Sequence, residues 1–351
     1  MKTTLVGRLV CPACKSPLNL QVISRHGKEV VDGKLLCGGC RQDYPIRGGI
    51  PRFVKSDSYA SSFSFEWKRW QRTQFDKPSR KLSAETFVSS TGRSPQDLTG
   101  KLVLEAGCGA GRYLDVLTRA GAEVIGVDLS EAAEVSYKNV GGQPNCHVIQ
   151  ADVMNLPFAP RTFDFAYSIG VLHITPDTRK AFLKLAEVLK PQGEVAIWVY
   201  PLHRLADALD YFPGRANEIL GIDVRYRIPR GWEKVARFFA PAFDWTTETS
   251  TDAQRMITRR LPVRWLYAAC HVAIPLYHLF RIPLFYPLRL VTKISMAPEP
   301  EWRVLDTFDW YSTRYCWKHT FREMETWFRE AGLKGIEVCP RLVAMRGQLP
   351  S

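Results

Sequence analysis

The sequence predicts an α/β protein built on a doubly wound parallel sheet, with a cysteine-rich N-terminal domain and a largely helical insertion. Three observations support this prediction. Strand-like apolar runs alternate with helical patterns across residues 101–200, a glycine-rich turn follows the first run, and two C-x-x-C pairs precede the whole segment. Such alternation is typical of parallel sheets, whose ligands lie outside the carboxyl ends of the strands.

Residues 1–54 are the predicted N-terminal domain, in which Cys11, Cys14, Cys37 and Cys40 follow the spacing C-x2-C-x22-C-x2-C. Four thiolates presented by two tight turns suit a tetrahedral zinc ion. A redox site would need only one such pair on a thioredoxin-like frame, and no such frame surrounds these pairs. We therefore predict a zinc ribbon.

The stretch DYPIRGGIPRFV, residues 43–54, completes this domain. It resembles the zinc-ribbon family to which the small activator subunit of several RNA and protein methyltransferases belongs. The resemblance implies that such a ribbon is fused here to a second domain. A piece of about 50 residues has too little core of its own, so we expect a structural role ahead of a role in substrate recognition.

Residues 55–100 are predicted to be a linker with helices that cap the ligand site. Aromatic and basic residues crowd the stretch SDSYASSFSFEWKRWQRTQF. Such residues can stack nucleic-acid bases. The alternative, which we favour, is a helix that docks on the next domain through its aromatic face and keeps its cations outside.

The core, residues 101–200, opens with LVLEAGCGAGRYLD, in which glycines occupy positions 107, 109 and 111. This pattern indicates a strand, a tight turn and a helix N-terminus, where unpaired N–H groups can hold an anionic or nucleotide ligand. The dinucleotide fingerprint would need Gly or Ala at position 112, but Arg112 stands there. A nicotinamide dinucleotide is therefore disfavoured.

The pattern E-x-G-C-G-x-G, followed by VIGVDLS, resembles motifs I and II of class I S-adenosylmethionine (SAM) methyltransferases, in particular the ubiquinone/menaquinone-type group. The resemblance implies a Rossmann-like sheet, SAM as cofactor and methyl transfer as the reaction. A carboxylate at the end of the second strand, Asp128, can accept hydrogen bonds from both ribose hydroxyls. The residues that the resemblance assigns to the cofactor are Glu105, Gly107, Gly109, Gly111, Asp128, Leu129, Asp152, Val153 and Ser168.

Two histidines are candidate bases. His173 follows the fourth predicted strand, 163–169, and an ordinary pKa of about 6.5 suits a general base. The alternative is a loop histidine without a catalytic role, and His319 is the second candidate. The stretch SIGVLHI replaces the N/D-P-P-Y/F motif expected for methylation of amino groups, so a hydroxyl is the simplest predicted acceptor.

Residues 201–315 interrupt the core pattern, which returns as a helix and two strands in residues 316–351. We predict that this insertion determines substrate specificity. It ends in DTFDWYSTRYCWKHT, where Asp309, Tyr311 and Tyr315 can bind or deprotonate a substrate. A turn with a satisfied aromatic cluster is the alternative for these residues.

The middle of the insertion is basic and apolar. No Asp or Glu occurs between Ala253 and Pro298, and the basic residues there are Arg255, Arg259, Arg260, Arg264, Arg281, Arg289 and Lys293. A stretch without Lys or Arg, residues 265–280, is shorter than the ~20 residues of a membrane-spanning helix. Residues 255–293 therefore form either a peripheral face on a lipid headgroup layer or a helical lid, and the sequence leaves both open.

The composition indicates anionic partners. The net charge is +13 over 351 residues, and no apolar signal segment precedes the first cysteines, so we expect a cytoplasmic protein. The predicted acceptor is a small molecule or a lipid-linked molecule. An RNA acceptor recognised by the ribbon, and a SAM-binding scaffold without turnover, are the alternative hypotheses.

Overall fold

The computed structural model describes residues 1–54, 60–202, 204–212, 215, 233–282, 284–285, 288 and 292–351. Parts of the predicted insertion, among them residues 216–232 and Arg289, lie outside these described residues.

The N-terminal domain is a four-stranded antiparallel sheet with its strands in chain order: β1 (Leu18–His26), β2 (Glu29–Cys37), β3 (Asp43–Arg47) and β4 (Ile50–Pro51). A 3-10 helix, Thr3–Arg8, precedes it. Side chains alternate between buried and exposed along β2 and β3, which is the pattern of a sheet with one face against a core.

The second domain contains a seven-stranded sheet of order β10-β11-β9-β8-β5-β6-β7. Its strands are β5 (Leu102–Ala106), β6 (Glu123–Asp128), β7 (Cys146–Gln150), β8 (Phe163–Ile169), β9 (Leu189–Trp198), β10 (Lys334–Val338) and β11 (Ala344–Gln348). All pair in parallel except β11, which runs antiparallel to both neighbours. The strand order reverses at β5, between β6 and β8, which is where doubly wound sheets bind ligands. The predicted fold class is confirmed.

Helices cover both faces of this sheet because its central strands are buried on both sides; every residue of β5 and β7 is buried. The helices of the core are α3 (Arg112–Arg119), α4 (Ala132–Val140), α5 (Thr178–Glu187) and α11 (Phe321–Glu330). Two helices, α1 (Ser61–Arg69) and α2 (Leu82–Thr91), precede the sheet in the chain.

The ribbon packs on the edge of the large sheet. Arg52 forms a parallel bridge with Gln150 beside β7, and Leu9 forms an antiparallel bridge with Phe158. Lys2 Nζ donates hydrogen bonds to two backbone carbonyls of the second domain, at 2.8 and 3.0 Å. One continuous cluster of buried apolar side chains extends from the ribbon into the sheet.

The described part of the insertion is helical: α6 (Arg204–Tyr211), α7 (Glu233–Thr258), α8 (Val263–Cys270), α9 (Ala273–Leu279) and α10 (Pro300–Ser312). The aromatic residues of α1 dock on this insertion, since Phe308 lies 5.7 Å from Phe65 and 5.8 Å from Trp70 between ring centroids. Among the described helices, none combines the length and the apolar character needed to cross a bilayer.

Candidate active site

A cavity of about 780 Å³ opens at the carboxyl ends of β5, β6, β8 and β9. Residues from the ends of these strands line it, including Gly107, Asp128, Ile169 and Tyr200. Side chains of α1, α2, α7 and α10 line it as well. The volume is in the range typical of small-molecule sites, and the position is the switch point of the sheet.

The glycine-rich turn forms one wall of this cavity. Gly107 has φ +82°, and a Cβ there would collide with the side chain of Val171. At Gly109, with φ +51°, an added Cβ would lie 3.0 Å from the Trp67 ring of α1. Gly111 caps α3 with φ +88° but does not line the cavity. The turn therefore needs glycine for its backbone geometry and for the close approach of α1.

Glu105 lies near the end of β5, is 2% exposed and lines the cavity with its carboxyl group. Its Oε2 atom has no hydrogen-bond partner among the described residues. Burial raises the pKa of Glu105 to about 8. Tyr167 interacts with this carboxyl group and opposes the rise of its pKa. The buried carboxyl group fits a cationic ligand group such as the ammonium of SAM, and its role in cofactor binding stays a prediction.

Asp128 lies across the turn and accepts hydrogen bonds from Gly109 N at 2.9 Å, Ser130 N at 2.9 Å and Ser130 Oγ at 2.7 Å. Burial is the largest cause that raises its pKa, and these donors oppose the rise. Leu129 and Val153 line the same part of the cavity. This wall presents a fixed carboxyl group and apolar side chains, the combination that suits a ribose and an adenine.

Besides Gly111, two further residues predicted to bind the cofactor do not line the cavity. Asp152 accepts a hydrogen bond from Met154 N at 2.9 Å and so caps the short 3-10 helix Val153–Asn155. Ser168 is fully buried and donates from Oγ to Ala106 O at 2.8 Å. Both side chains hold backbone around the site.

Acidic side chains from α1 and α10 also line the cavity. Asp309 of α10 accepts a hydrogen bond from Tyr200 Oη at 3.2 Å, and burial, with the charge of Asp306 beside it, raises its pKa to about 7. Asp306 accepts from Ser295 Oγ and Trp302 Nε1, each at 3.0 Å, and burial raises its pKa to about 6. Glu66 of α1 also lines the cavity, with Oε2 lacking a partner among the described residues.

The two predicted bases do not line the cavity, which corrects their expected position. His173 lies in the 3-10 helix Leu172–Ile174, which turns its ring under Tyr200; the rings stack with 3.9 Å between centroids. The His173 side chain is buried, and burial lowers its pKa to about 3. His319 Nε2 lies 2.9 Å from Thr178 Oγ1.

The three residues predicted to bind a substrate are separated by the structure. Asp309 lines the cavity. The Tyr311 hydroxyl instead lies 2.7 Å from Gln254 Oε1 and 2.9 Å from Lys293 O, inside the insertion. Tyr315 stacks on Trp317, with 6.3 Å between ring centroids. Of these three residues, Asp309 therefore belongs to the site, whereas Tyr311 and Tyr315 make contacts outside it. Most of the segment 306–315 is helix rather than turn.

The sequence reasoning missed Glu66, Asp306, Tyr200 and Arg341, all of which line the cavity. The sequence did offer a signal for Glu66, because Glu66 is the single acidic residue of the aromatic helix α1. Arg341 had none: it lies in the loop between β10 and β11, with its guanidinium 3.8 Å from the Trp198 ring centroid. Asp306 opens the stretch DTFDWYSTRYCWKHT but was not singled out there, and Tyr200 lay outside the motifs quoted above.

The ribbon contains a second site. The sulfur atoms of Cys11, Cys14, Cys37 and Cys40 all lie within 4.8 Å of one another. The Sγ atoms of Cys11 and Cys40 are 3.6 Å apart, and those of Cys14 and Cys37 are 3.4 Å apart. A tetrahedral zinc site with Zn–S bonds of about 2.3 Å places its sulfurs about 3.8 Å apart. The four thiols therefore fit zinc, as predicted.

Comparison with protein families identifies both domains. Residues 104–197 match the family model described as "Methyltransferase domain", and residues 8–49 match the model described as "Trm112p-like protein". The chain therefore carries a SAM-type methyltransferase domain. Ahead of it stands a Trm112p-like zinc ribbon, in agreement with both resemblances read from the sequence.

Three individual relatives match stretches of 99 to 132 residues of this chain. The sterol 4-C-methyltransferase strm-1 of Caenorhabditis elegans is 31% identical over 27% of this chain and 30% of its own length. "Probable tRNA methyltransferase 9B" of Mus musculus is 35% identical over 30% of this chain and 23% of its own length. The O-methyltransferase rstn1 of Aspergillus nomiae is 29% identical over 35% of this chain and 59% of its own length. The chain thus spans between a quarter and three fifths of these relatives, whose named acceptors differ.

Among solved structures, a SAM-dependent methyltransferase from Mesorhizobium loti is 28% identical. The match covers 32% of this chain and 52% of that one, with a TM-score of 0.29.

Proposed function

We propose that this protein transfers the methyl group of SAM to a hydroxyl of a small or lipid-linked acceptor. The observation that carries the proposal is Asp309. It is a half-buried carboxyl group in the same cavity as Gly107 and Asp128, with a pKa raised to about 7. A group that titrates near neutral pH is suited to accept a proton from a hydroxyl.

The cofactor end of the cavity is the wall formed by Glu105, Gly107, Gly109 and Asp128. Its carboxyl groups and close-approaching backbone would hold SAM, with Glu105 facing the ammonium group. When bound there, SAM supplies a sulfonium-activated methyl group. The protein then has to place an acceptor oxygen in line with that methyl group, because orientation provides much of the rate of such a displacement.

The acceptor end is the group formed by Glu66, Tyr200, Asp306 and Asp309. Asp309 accepts the hydroxyl proton of the acceptor, and Tyr200 holds the Asp309 carboxyl in place through its hydrogen bond. Asp306, fixed by Ser295 and Trp302, disfavours a second negative charge beside it and so keeps the pKa of Asp309 high. These contacts support a base on α10 rather than on the β8 side of the site.

The substitution Asp309→Asn tests this assignment. We expect kcat to fall by about 100-fold or more, because the base is lost, while the Kd for SAM stays within about twofold. The carboxylate form is the active form, so wild-type kcat should fall as the pH decreases below about 7. D309N should lose that limb of the profile. A quenched assay of methyl transfer from radiolabelled SAM at a series of pH values measures kcat and its pH dependence.

His173→Asn is the matched comparison, since it changes the ring stacked under Tyr200 without touching the cavity wall. We expect H173N to retain the limb near pH 7 and most of its kcat. If H173N loses this limb and D309N keeps it, the base is His173 and our assignment is wrong.

The acceptor class is tested with radiolabelled SAM and a cell extract that is then separated into lipid, small-molecule, RNA and protein fractions. Label in the lipid or small-molecule fraction supports the proposal. Label in RNA would replace our acceptor with the alternative hypothesis. SAM binding without label in any fraction would favour a scaffold.

A further inference from the structure

The long helix α7 exposes an apolar face. Phe238 is 78% exposed and Trp245 is 70% exposed, although both are large and apolar. Among the side chains of this helix that the structure describes, the exposed large apolar ones are Val235, Phe238, Phe239, Trp245, Met256 and Ile257. Isolated exposed apolar residues are ordinary on protein surfaces, so the question is whether these six lie together.

Helix geometry places them on one side. At about 100° per residue, positions 238, 245 and 256 fall within about 20° of one direction, and all six fall within an arc of about 120°. Ala240, Thr251 and Arg255, which are buried, fall on the opposite side. We call the six exposed residues the apolar stripe. The stripe has two parts on this helix of 26 residues, about 39 Å long: residues 235–245 near its start and residues 256–257 near its end.

The segment immediately after α7, residues 259–265, adds exposed apolar residues and positive charge. Leu261 and Trp265 are exposed, and Trp265 is 72% exposed. Arg259, Arg260 and Arg264 are exposed beside them. No acidic residue occurs in the sequence from Ala253 to Pro298, so no acidic side chain within this segment neutralises these arginines.

We propose that the apolar stripe and the basic turn 259–265 rest in the headgroup layer of an anionic lipid bilayer. Amphipathic helices with aromatic residues on one face and flanking arginines bind such surfaces by burying apolar area and by pairing with anionic lipids. Tryptophan is suited to this layer because its ring is apolar while its N–H can reach water. The inference extends the proposed function, because a lipid-linked acceptor is found at this surface.

The opposite face of the same helix reaches the active site. Arg255 is buried, donates from Nε to Trp310 O at 3.0 Å, pairs with Asp252 at 2.8 Å and lines the cavity. Its neighbours Met256 and Ile257 belong to the stripe. One helix, about 10 Å thick, therefore separates the lipid surface from the acceptor end of the cavity. This arrangement favours a surface helix over a lid that is covered by protein on both faces.

The test is co-sedimentation of the full chain with vesicles of phosphatidylcholine, alone or mixed with an equal amount of phosphatidylglycerol. We expect binding to the mixed vesicles that weakens with salt. The double variant F238S/W245S should bind at least about tenfold more weakly, because two aromatic side chains no longer enter the lipid. The triple variant R259Q/R260Q/R264Q should lose the preference for anionic vesicles.

Ile23→Ser is the matched control, since Ile23 lies on the ribbon and is 68% exposed. It should bind vesicles as the wild type does. Thermal unfolding and SAM binding confirm that each variant is folded, and neither readout depends on turnover. The test therefore separates this inference from the proposed function.

Three results would overturn the inference. The wild type could fail to bind mixed vesicles, or F238S/W245S could bind like the wild type. Sedimentation velocity could show a dimer that F238S/W245S converts to a monomer, in which case the stripe is covered by a second copy of the chain.

Discussion

The ribbon and helix α7 are both additions to the methyltransferase core, and they differ in how much of their apolar surface the rest of the chain buries. The ribbon shares one continuous buried cluster with the sheet, through residues such as Leu5, Leu9 and Phe158. It also pairs its backbone with the second domain at Arg52 and Leu9. Helix α7 buries one face and leaves its apolar stripe exposed. The ribbon is thus part of the fold, whereas α7 has an apolar surface suited to an external partner.

The difference follows from what each segment can bury. A domain of about 50 residues cannot form an adequate core by itself, so the zinc site and the shared cluster both contribute to its stability. A 26-residue amphipathic helix needs only one packed face to be held in place. Its second face is then available for a function. The following predictions test this comparison.

Removal of zinc has the largest expected effect. Structural zinc sites contribute about 10 kcal/mol or more of apparent binding free energy, so a chelator or Cys37→Ser should unfold the ribbon. Because the ribbon shares its core with the sheet, the melting temperature of the methyltransferase domain should fall as well. Calorimetry and near-ultraviolet circular dichroism measure this change. Cys316→Ala, outside the ribbon, is the control and should leave the zinc content unchanged.

If the ribbon unfolds while the methyltransferase domain melts at an unchanged temperature, the shared cluster contributes little. The ribbon would then be a separate attachment like α7, and the comparison between the two regions would fail.

A pair of matched substitutions sharpens the comparison. Phe158 is 1% exposed, bridges to Leu9 and contacts the Phe163 ring with 4.9 Å between centroids. Phe158→Ala should lower the free energy of unfolding by about 3–5 kcal/mol, because it leaves a cavity at the ribbon contact. Phe238→Ala on the stripe should change it by less than about 0.5 kcal/mol. Urea unfolding of both variants measures the values; a large loss for F238A would mean that the stripe is covered within the protein.

Much of the fold was predictable because it depends on local patterns. The glycine turn after β5, the alternation of strands with helices and the two cysteine pairs each carry their own signal over a few residues. The acceptor end of the cavity carried less signal, because it is assembled by distant segments. Glu66, Tyr200 and Asp306 come from α1, the end of β9 and α10.

His173 illustrates the limit. Its position after β8 is consistent with a residue that faces the ligand, and only the direction of the 3-10 helix Leu172–Ile174 turns the ring inward. A single turn of backbone thus decides whether a side chain lines the cavity or is buried beside it. Asp309 was predictable as a polar residue near a substrate, but its pKa depends on burial and on Asp306, one turn earlier in α10.

Substitution of Glu105 has the smallest expected effect on stability among these predictions. It tests whether the fold leaves a group of the site without a partner, as it leaves the apolar stripe exposed. Its folded pKa of about 8 lies above the value of about 4.3 expected in the unfolded chain. The native state therefore binds this proton more tightly, and the stability of the ligand-free protein should decrease as the pH rises from about 4 to 8. Glu105→Gln removes this loss and should stabilise the ligand-free protein by on the order of 2–3 kcal/mol at pH 7.

The same substitution should weaken SAM binding by about tenfold or more, because an uncharged amide replaces the carboxylate opposite the ammonium group. Thermal unfolding across pH 4 to 8 and titration calorimetry with SAM measure the two effects. Glu187→Gln, an exposed residue of α5 paired with Lys184, is the control and should change neither. A gain in stability without a loss of SAM affinity would place the ammonium group elsewhere in the cavity. A loss of both would mean that Glu105 is a structural residue whose Oε2 is satisfied within the protein.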